Sequence, residues 1–267
     1  MNNELEKKTK EQSAEELGLV VPRNMGDYVN NTMQKYIERG LTVPSDYNVN
    51  NAVISSYLLI QKDEKLKSCS QQSIASALID MAVMGLSASK NQCYFIARAG
   101  QCCLDPSYFG KIMAIKRIKG VIDVIADVIY KDTSYELSVD EYGNDDIKIT
   151  KPCDLDKRLP DNIIGAWCKI ILDENVWGRK THTCIMTIDQ IHKSWNQGAT
   201  KGKSPAHVNF PEEMSKKSVI NRCCKNFVNS AKDQDILIET INRTTLNDYD
   251  NTTTNQTAFS EEKVIDI

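Results

Sequence analysis

The residues from Val121 to Tyr130 read VIDVIADVIY, and six of these ten are β-branched. Side chains branched at Cβ lose rotamer freedom in a helix and pack well on a pleated surface, so the run is a long strand. A strand of that length needs partners, and the sequence around it offers further strands. Tyr135–Val139 pairs plausibly with Ile147–Thr150 across the turn Glu141-Tyr142-Gly143-Asn144, and Ile163–Leu172 with Arg179–Met186 around Asp173-Glu174-Asn175. Upstream, Cys93–Arg98 alternates in polarity, Ala99-Gly100 makes a turn and Gln101–Leu104 returns, which predicts a β-hairpin.

Helical spacing flanks this β-rich stretch. Tyr28, Val29, Met33, Tyr36 and Ile37 precede Gly40, and a second helix runs through Val53, Ile54, Tyr57, Leu58 and Ile60. Ser68 with Gln71 resembles a capping box before a helix whose Ile74, Ala77, Leu78, Met81 and Leu86 mark its buried side. Asp105-Pro106-Ser107 starts a helix with Tyr108, Ile112, Ile115 and Ile118 inward and Lys111, Lys116, Arg117 and Lys119 elsewhere around it, ending at Gly120. Thr187 with Gln190 marks another start, through Ile188, Ile191 and Trp195, followed by a Gly-, Lys-, Ser- and Pro-rich loop over 196–209. The expected fold is α+β: an antiparallel sheet with a β-hairpin and flanking helices, in a single domain with flexible acidic tails. The expected segments are a flexible 1–16, a folded 17–243 and a disordered tail over 244–267.

Charge divides the chain in the same way. The net charge is -3, yet residues 1–16 hold five acids and three bases and residues 233–267 eight acids and two bases. Residues 17–232 therefore carry 28 bases and 23 acids, a mildly basic body between acidic ends. That division suits a body that meets a polyanion, while an ordinary solubilising tail explains the ends equally well. The nine cysteines are odd in number, form no C-x-x-C pair and fall mostly inside apolar patterns, so they read as reduced core residues of a cytoplasmic protein. No structural metal and no cofactor are expected. There is no apolar leader and no run long enough to span a bilayer, so no membrane partner is expected either.

Several chemical motifs fail on spacing. Gly198-Ala199-Thr200-Lys201-Gly202-Lys203-Ser204 has three residues between its glycines where a P-loop needs four, and it follows a helix rather than a strand. It remains a basic loop, able to close over a bound strand or to serve as plain surface. His182 and Cys184 share a strand face, but two ligands do not make a zinc site. Asp145-Asp146 and Asp154/Asp156 lie by turns and loops without a companion acid, and no nucleophile carries a local base signature. A metal-dependent nuclease built on those acids and a structural oligomer without a DNA-binding role remain the alternatives.

The strongest positive pattern is the run from Met214 to Lys232, in which Lys216, Lys217, Arg222, Lys225 and Lys232 stand without an acid. At 100° per residue Val219, Ile220, Cys223, Cys224 and Phe227 share one side and Lys217, Arg222 and Lys225 spread over the other. Lys216 falls in the middle of the apolar side. With Arg98 on the hairpin, Tyr108, Phe109, Lys111, Lys116 and Arg117 on the next helix, and Phe210, basic and aromatic residues spread over two helices and a hairpin. A single-strand binder needs this mixture, cations for phosphates and flat rings for bases.

The segments SIASALIDMAVMGLSASKNQCYFIAR, SYFGKIMAIKR and EEMSKKSVINR, in this order, resemble the RecT family of phage and prophage single-strand DNA annealing proteins over roughly residues 55–230. The family commonly reads Gly-Tyr-Lys-Gly after its hairpin. Here Ser107, Tyr108, Phe109 and Gly110 stand in those places, Arg117 matches a later arginine, and Phe109 replaces the lysine, with Lys111 one position on. A Met-x-Lys-Lys-x-x-x-x-Arg pattern is kept as Met214, Lys216, Lys217 and Arg222, with Phe210 as the preceding aromatic. The resemblance implies ATP-independent annealing of complementary strands in homologous recombination by an oligomeric ring or filament. It also implies a positive groove lined by the hairpin, the helix after it and the basic helix, with Tyr108, Arg117, Phe210, Lys216, Lys217 and Arg222 on DNA, to which the basic pattern itself adds Arg98, Lys111, Lys116 and Lys225. The implied partners are single-stranded DNA, the annealed duplex intermediate, further copies of the chain, a phage exonuclease and a host single-strand-binding protein, with no covalent catalysis.

Overall fold

A computed structural model describes residues 22–140, 143–197, 200–230 and 236–245. The expected tail over 1–16 lies outside these residues, as does that over 244–267 apart from its first two positions. The element order is α1 (Arg23–Glu38), α2 (Val49–Gln61), α3 (Glu64–Lys67), α4 (Gln71–Val83), β1 (Cys93–Arg98), β2 (Gln101–Pro106), α5 (Tyr108–Ile115), β3 (Val121–Tyr130), β4 (Ser134–Val139) and β5 (Asp145–Lys151). It continues with β6 (Ile163–Leu172), α6 (Glu174–Trp177), β7 (Thr181–Thr187), α7 (Ile188–Trp195), α8 (Pro205–Asn209), α9 (Pro211–Ser230) and α10 (Ile236–Thr245). The α+β expectation is met: among the described residues every strand pair is antiparallel, in two two-stranded hairpins and one three-stranded sheet of order β3-β6-β7.

The long strand β3 pairs along its length with β6, Val124 opposite Ile170 and Val128 opposite Ala166. On the inner face of β6, Ala166, Cys168 and Ile170 are fully buried beneath α9. That helix lays Val219, Ile220, Cys223, Cys224 and Phe227 into the core, the side its spacing predicts. Burying five such side chains stabilises the docked helix by about 1.5–3 kcal/mol for each of the larger ones. The β4–β5 hairpin, with Leu137 opposite Ile147, reaches the sheet through Asp146. Asp146 accepts from the Lys169 ammonium at 2.7 Å on β6 and from the Thr183 hydroxyl at 2.9 Å on β7.

The first hairpin closes through Ala99 and Gly100, both at positive φ (48° and 79°), the turn whose twist matches that of paired strands. Its turn carbonyl at Gly100 accepts from the Ser70 N–H at the start of α4, which anchors the hairpin tip. Seven of the nine cysteines are buried and all nine are free thiols.

Five local expectations change. The cap of α4 is Ser70, whose hydroxyl accepts from the Ser73 N–H, because Ser68 already closes the short α3 by donating its N–H to Glu64. In α1 the buried residues are Met25, Val29 and Met33, and Tyr28 and Ile37 face out. Helix α5 ends at Ile115 and buries Gly110, Lys111, Ala114 and Ile115, because α9 packs across its Lys111 side. In the loop over 196–209, Pro205–Asn209 makes the helical turn α8, with proline at its first position. At the C-terminal end α10 runs to Thr245, past the expected start of the tail, with Thr244 buried against Met84.

Candidate nucleic-acid interface

Hairpin β1–β2 delivers the chain to α5 through a close backbone junction. Ser107 caps α5 by accepting from the Gly110 N–H, donates its hydroxyl to Asn91 O at 2.8 Å, and gives its own N–H to Gln92 O at 2.9 Å. Gly110 then passes so near that same carbonyl that a Cβ there would lie 1.9 Å from Gln92 O. A side chain at 110 is therefore excluded by backbone, and the glycine sets where the first turn of α5 sits.

That first turn presents two rings. Tyr108 and Phe109 lie with centroids 4.0 Å apart, and Phe109 is more than half exposed. The Tyr108 hydroxyl donates to Glu213 Oε2 at 3.2 Å, and Glu213 Oε1 pairs with the Lys216 ammonium on the first turns of α9. Burial, and next the Glu213 charge, push the Tyr108 pKa up to about 12, so Tyr108 stays a neutral donor. The basic run is thus opposed after all: α9 begins at Pro211, and its first turn carries Glu212 and Glu213, which favour the positive helix terminus. Lys216, inward on the helical wheel, leaves the core through the first turn toward Glu213 and remains partly exposed.

Around this centre, Phe210 precedes α9 and is 61% exposed, while Lys217 and Arg222 stand exposed on the helix and Lys225 is half-buried. A second basic segment comes alongside. The Trp195 indole donates to the Ser218 hydroxyl at 2.9 Å, the Gly202 backbone rests on the Trp195 side chain, and the His207 ring meets Trp195 edge-on at 4.8 Å. Lys201 and Lys203 flank Gly202, so this basic stretch lies over a tryptophan tied next to Lys217. Burial, and then the Lys217 ammonium, lower the His207 pKa, leaving it neutral at pH 7. Beside it opens a cleft of about 530 Å³ lined by Lys131, His192, Trp195, His207, Val208 and Pro211 among others.

The remaining predicted contacts are placed differently. Lys111 is only 3% exposed, inside the packing of α5 against α9, where its charge lowers the pKa of the Cys224 thiol against the larger effect of burial. Arg117 donates to the carbonyls of Val83 and Thr42, closing the C-terminal end of α4 and lying across Gly85. Both work as supports of the fold. Lys116 is paired to Asp123 on β3 at 2.8 Å. Arg98 is exposed at the hairpin turn, opposite Gln101, whereas α5 starts beyond the other end of the hairpin, roughly 16 Å away at 3.3 Å per residue. Sequence spacing brings Tyr108, Phe109, Phe210, Lys216 and Lys217 to one place and does not bring Arg98, Lys111 or Arg117 with them.

Glu213, Lys201 and Lys203 join the site without having been singled out as contacts. Only the pattern Glu212-Glu213 just before the basic run hinted that an acid would sit among the bases. The acids considered for a nuclease do not converge. Burial opposes ionisation of Asp146, but the hydrogen bonds from Lys169 and Thr183 outweigh it and hold its pKa below the usual range, so it serves as a structural ion pair. Among the described residues, no helix is long and apolar enough to cross a membrane.

No curated protein matches this chain. The family model described as the RecT family matches residues 50–258, which span the hairpin, the rings of α5 and the whole of the basic helix α9. With that match covering most of its length, the chain belongs to the RecT family.

Proposed function

We propose that this chain binds single-stranded DNA along the exposed side of α9 and the first turn of α5, holds it extended, and anneals it to a complementary strand without nucleotide hydrolysis. Annealing of single strands in DNA recombination is what the RecT family does, and membership sets the class of activity. The observation that carries the residue-level proposal is that exposed Lys217 and the exposed rings of Phe109 and Phe210 gather around the start of α9, with exposed Arg222 farther along the same helix.

The mechanism is electrostatic and geometric. Lys217, Arg222 and Lys216, when it exchanges Glu213 for phosphate, neutralise a backbone and release its counterions. The rings of Phe109 and Phe210 offer faces on which bases stack irrespective of sequence. Two strands lined up on such a surface repel each other less, and copies of the chain arranged as a ring or filament keep successive segments in register. An exonuclease that generates the single strand and a host single-strand-binding protein that hands it over are the partners this activity calls for.

The test is the triple change Lys216→Ala, Lys217→Ala and Arg222→Ala. Each lost phosphate contact lowers the slope of log affinity against log salt by about 0.7 on a single strand, so the triple variant should lose roughly 2. Fluorescence anisotropy with a labelled oligonucleotide at several salt concentrations reads the slope, and quenching of a labelled complementary pair reads annealing. A variant that folds, anneals and keeps its slope would put the DNA elsewhere.

A further inference from the structure

His182 and Cys184 point from β7 toward α9, and the helix brings Cys223 to meet them. One ring nitrogen and two sulfurs then lie within 4.8 Å of one another. The two β7 residues are two apart on a strand and so share a face, which their spacing predicts, but the third member comes from 39 positions further on. We infer that His182, Cys184 and Cys223 form a binding site for a thiophilic d10 cation, zinc being the ordinary one, that ties α9 to the central sheet.

Several observations converge on this trio. His182 Nε2 is buried without a hydrogen bond of good geometry, while the Cys184 thiol lies within hydrogen-bonding reach of both the His182 ring and Cys223, a cluster that a shared metal ion would satisfy in full. The Cys223 sulfur lies 3.7 Å from both the Cys168 and the His182 carbonyl oxygens, while its one proton can serve a single acceptor. The Asn226 amide approaches the Cys184 sulfur at 3.8 Å, the position of an outer donor that steadies a thiolate ligand. The His182 ring is held in place by Phe227 at 5.6 Å, and Phe227 by Trp177 at 4.7 Å. Two sulfurs and one imidazole nitrogen are donors that zinc prefers, at about 2.3 Å and 2.0 Å. Tetrahedral ligands at those lengths stand about 3.5–3.8 Å apart, so from within 4.8 Å the trio need close by no more than about 1.3 Å. His182 and Cys184 are half-buried, which leaves room for a solvent molecule as the fourth ligand. The inference is independent of the DNA interface, since no residue is common to both.

Cobalt(II) replaces zinc at such sites and reports thiolate bonding as near-ultraviolet charge-transfer absorption. Full-length protein purified under reducing, metal-free conditions should take up one equivalent of cobalt with these bands, and zinc should displace it. Cys184→Ser and His182→Ala should abolish the bands, while Cys103→Ser, another half-buried thiol, should keep them. Zinc at a hundredfold excess over its Kd should raise the wild-type melting temperature by about 5–10 °C and leave that of Cys184→Ser unmoved. Absence of cobalt bands in the wild type, bands that survive in Cys184→Ser, or a melting shift shared by that variant would each overturn the site.

Discussion

Replacing Gly110 by alanine adds a single methyl group at a place where the fold has no room for it. The added carbon would lie 1.9 Å from Gln92 O, 2.9 Å from Gln92 C and 3.4 Å from a Leu86 methyl. Restoring an ordinary separation of about 3.2 Å requires the start of α5 and the 91–92 backbone to part by more than 1 Å, because the obstacle is a carbonyl rather than a yielding side chain. That movement endangers the Ser107 N–H to Gln92 O bond and the Ser107 hydroxyl bond to Asn91 O, which hold the same junction. Two such bonds contribute about 1 kcal/mol each, and overpacking adds about 1–3 kcal/mol, for a total of roughly 3–5 kcal/mol. At about 2–4 °C per kcal/mol for a domain of this size, the melting temperature should fall by roughly 6–20 °C. Scanning calorimetry gives the fall directly. Because Tyr108 and Phe109 ride on the displaced turn, anisotropy at a temperature where the variant is folded should also show weakened binding to single-stranded DNA. A Gly110→Ala protein that melts within 2 °C of the wild type would refute the geometric argument, since helix propensity alone favours alanine.

Glu213→Gln keeps the shape of the Tyr108 contact but releases Lys216, and should tighten oligonucleotide binding at low salt by about 3–10-fold and steepen the salt slope by up to about 0.7; unchanged anisotropy curves would show that Lys216 is not used. Ser218→Ala removes the partner of the Trp195 indole, a loss of about 1 kcal/mol, so trypsin should cut at Lys201 or Lys203 about fivefold faster; equal cleavage rates would mean that Trp195 does not hold the loop. Burial raises the Asp80 pKa from 3.8 to about 6 against the opposing pull of Arg243, with which it is paired between α4 and α10. The native state therefore binds the proton more tightly, and stability from this group is full below about pH 3.8 and lost as pH rises to about 6. The stability of Asp80→Asn relative to wild type, from urea titrations, should accordingly rise by about 2–3 kcal/mol between pH 4 and pH 7; a flat difference would remove Asp80 from the pH response.

What could be read from the chain was what neighbours in sequence decide. The strand VIDVIADVIY, the Ala99-Gly100 turn and the Thr187–Gln190 capping box depend on a few adjacent residues, and all three are found as expected. The buried side of α9 was legible because 20 residues of helix average over its irregularities. Helix α5 has eight residues, too few for its own pattern to prevail, and the approach of α9 decided that Lys111 went inward. Arg117 looked like a cation for phosphate because nothing near it in sequence says that two backbone carbonyls, at 42 and 83, would take its guanidinium. The meeting of Cys223 with His182 and Cys184 was hidden for the same reason: metal spacing rules apply to ligands on one segment, and this trio is assembled from two.

The carboxylate at the head of the basic helix has a kinetic meaning on the proposed function. A protein that clings to phosphate with bare ammonium groups lets go slowly, because each departure strands a charge. Lys216 has a resident substitute in Glu213, so a departing phosphate is replaced in one exchange, as one ligand displaces another. Such a surface trades some grip for a faster off-rate, letting two strands slip until they match without a nucleotide to drive release.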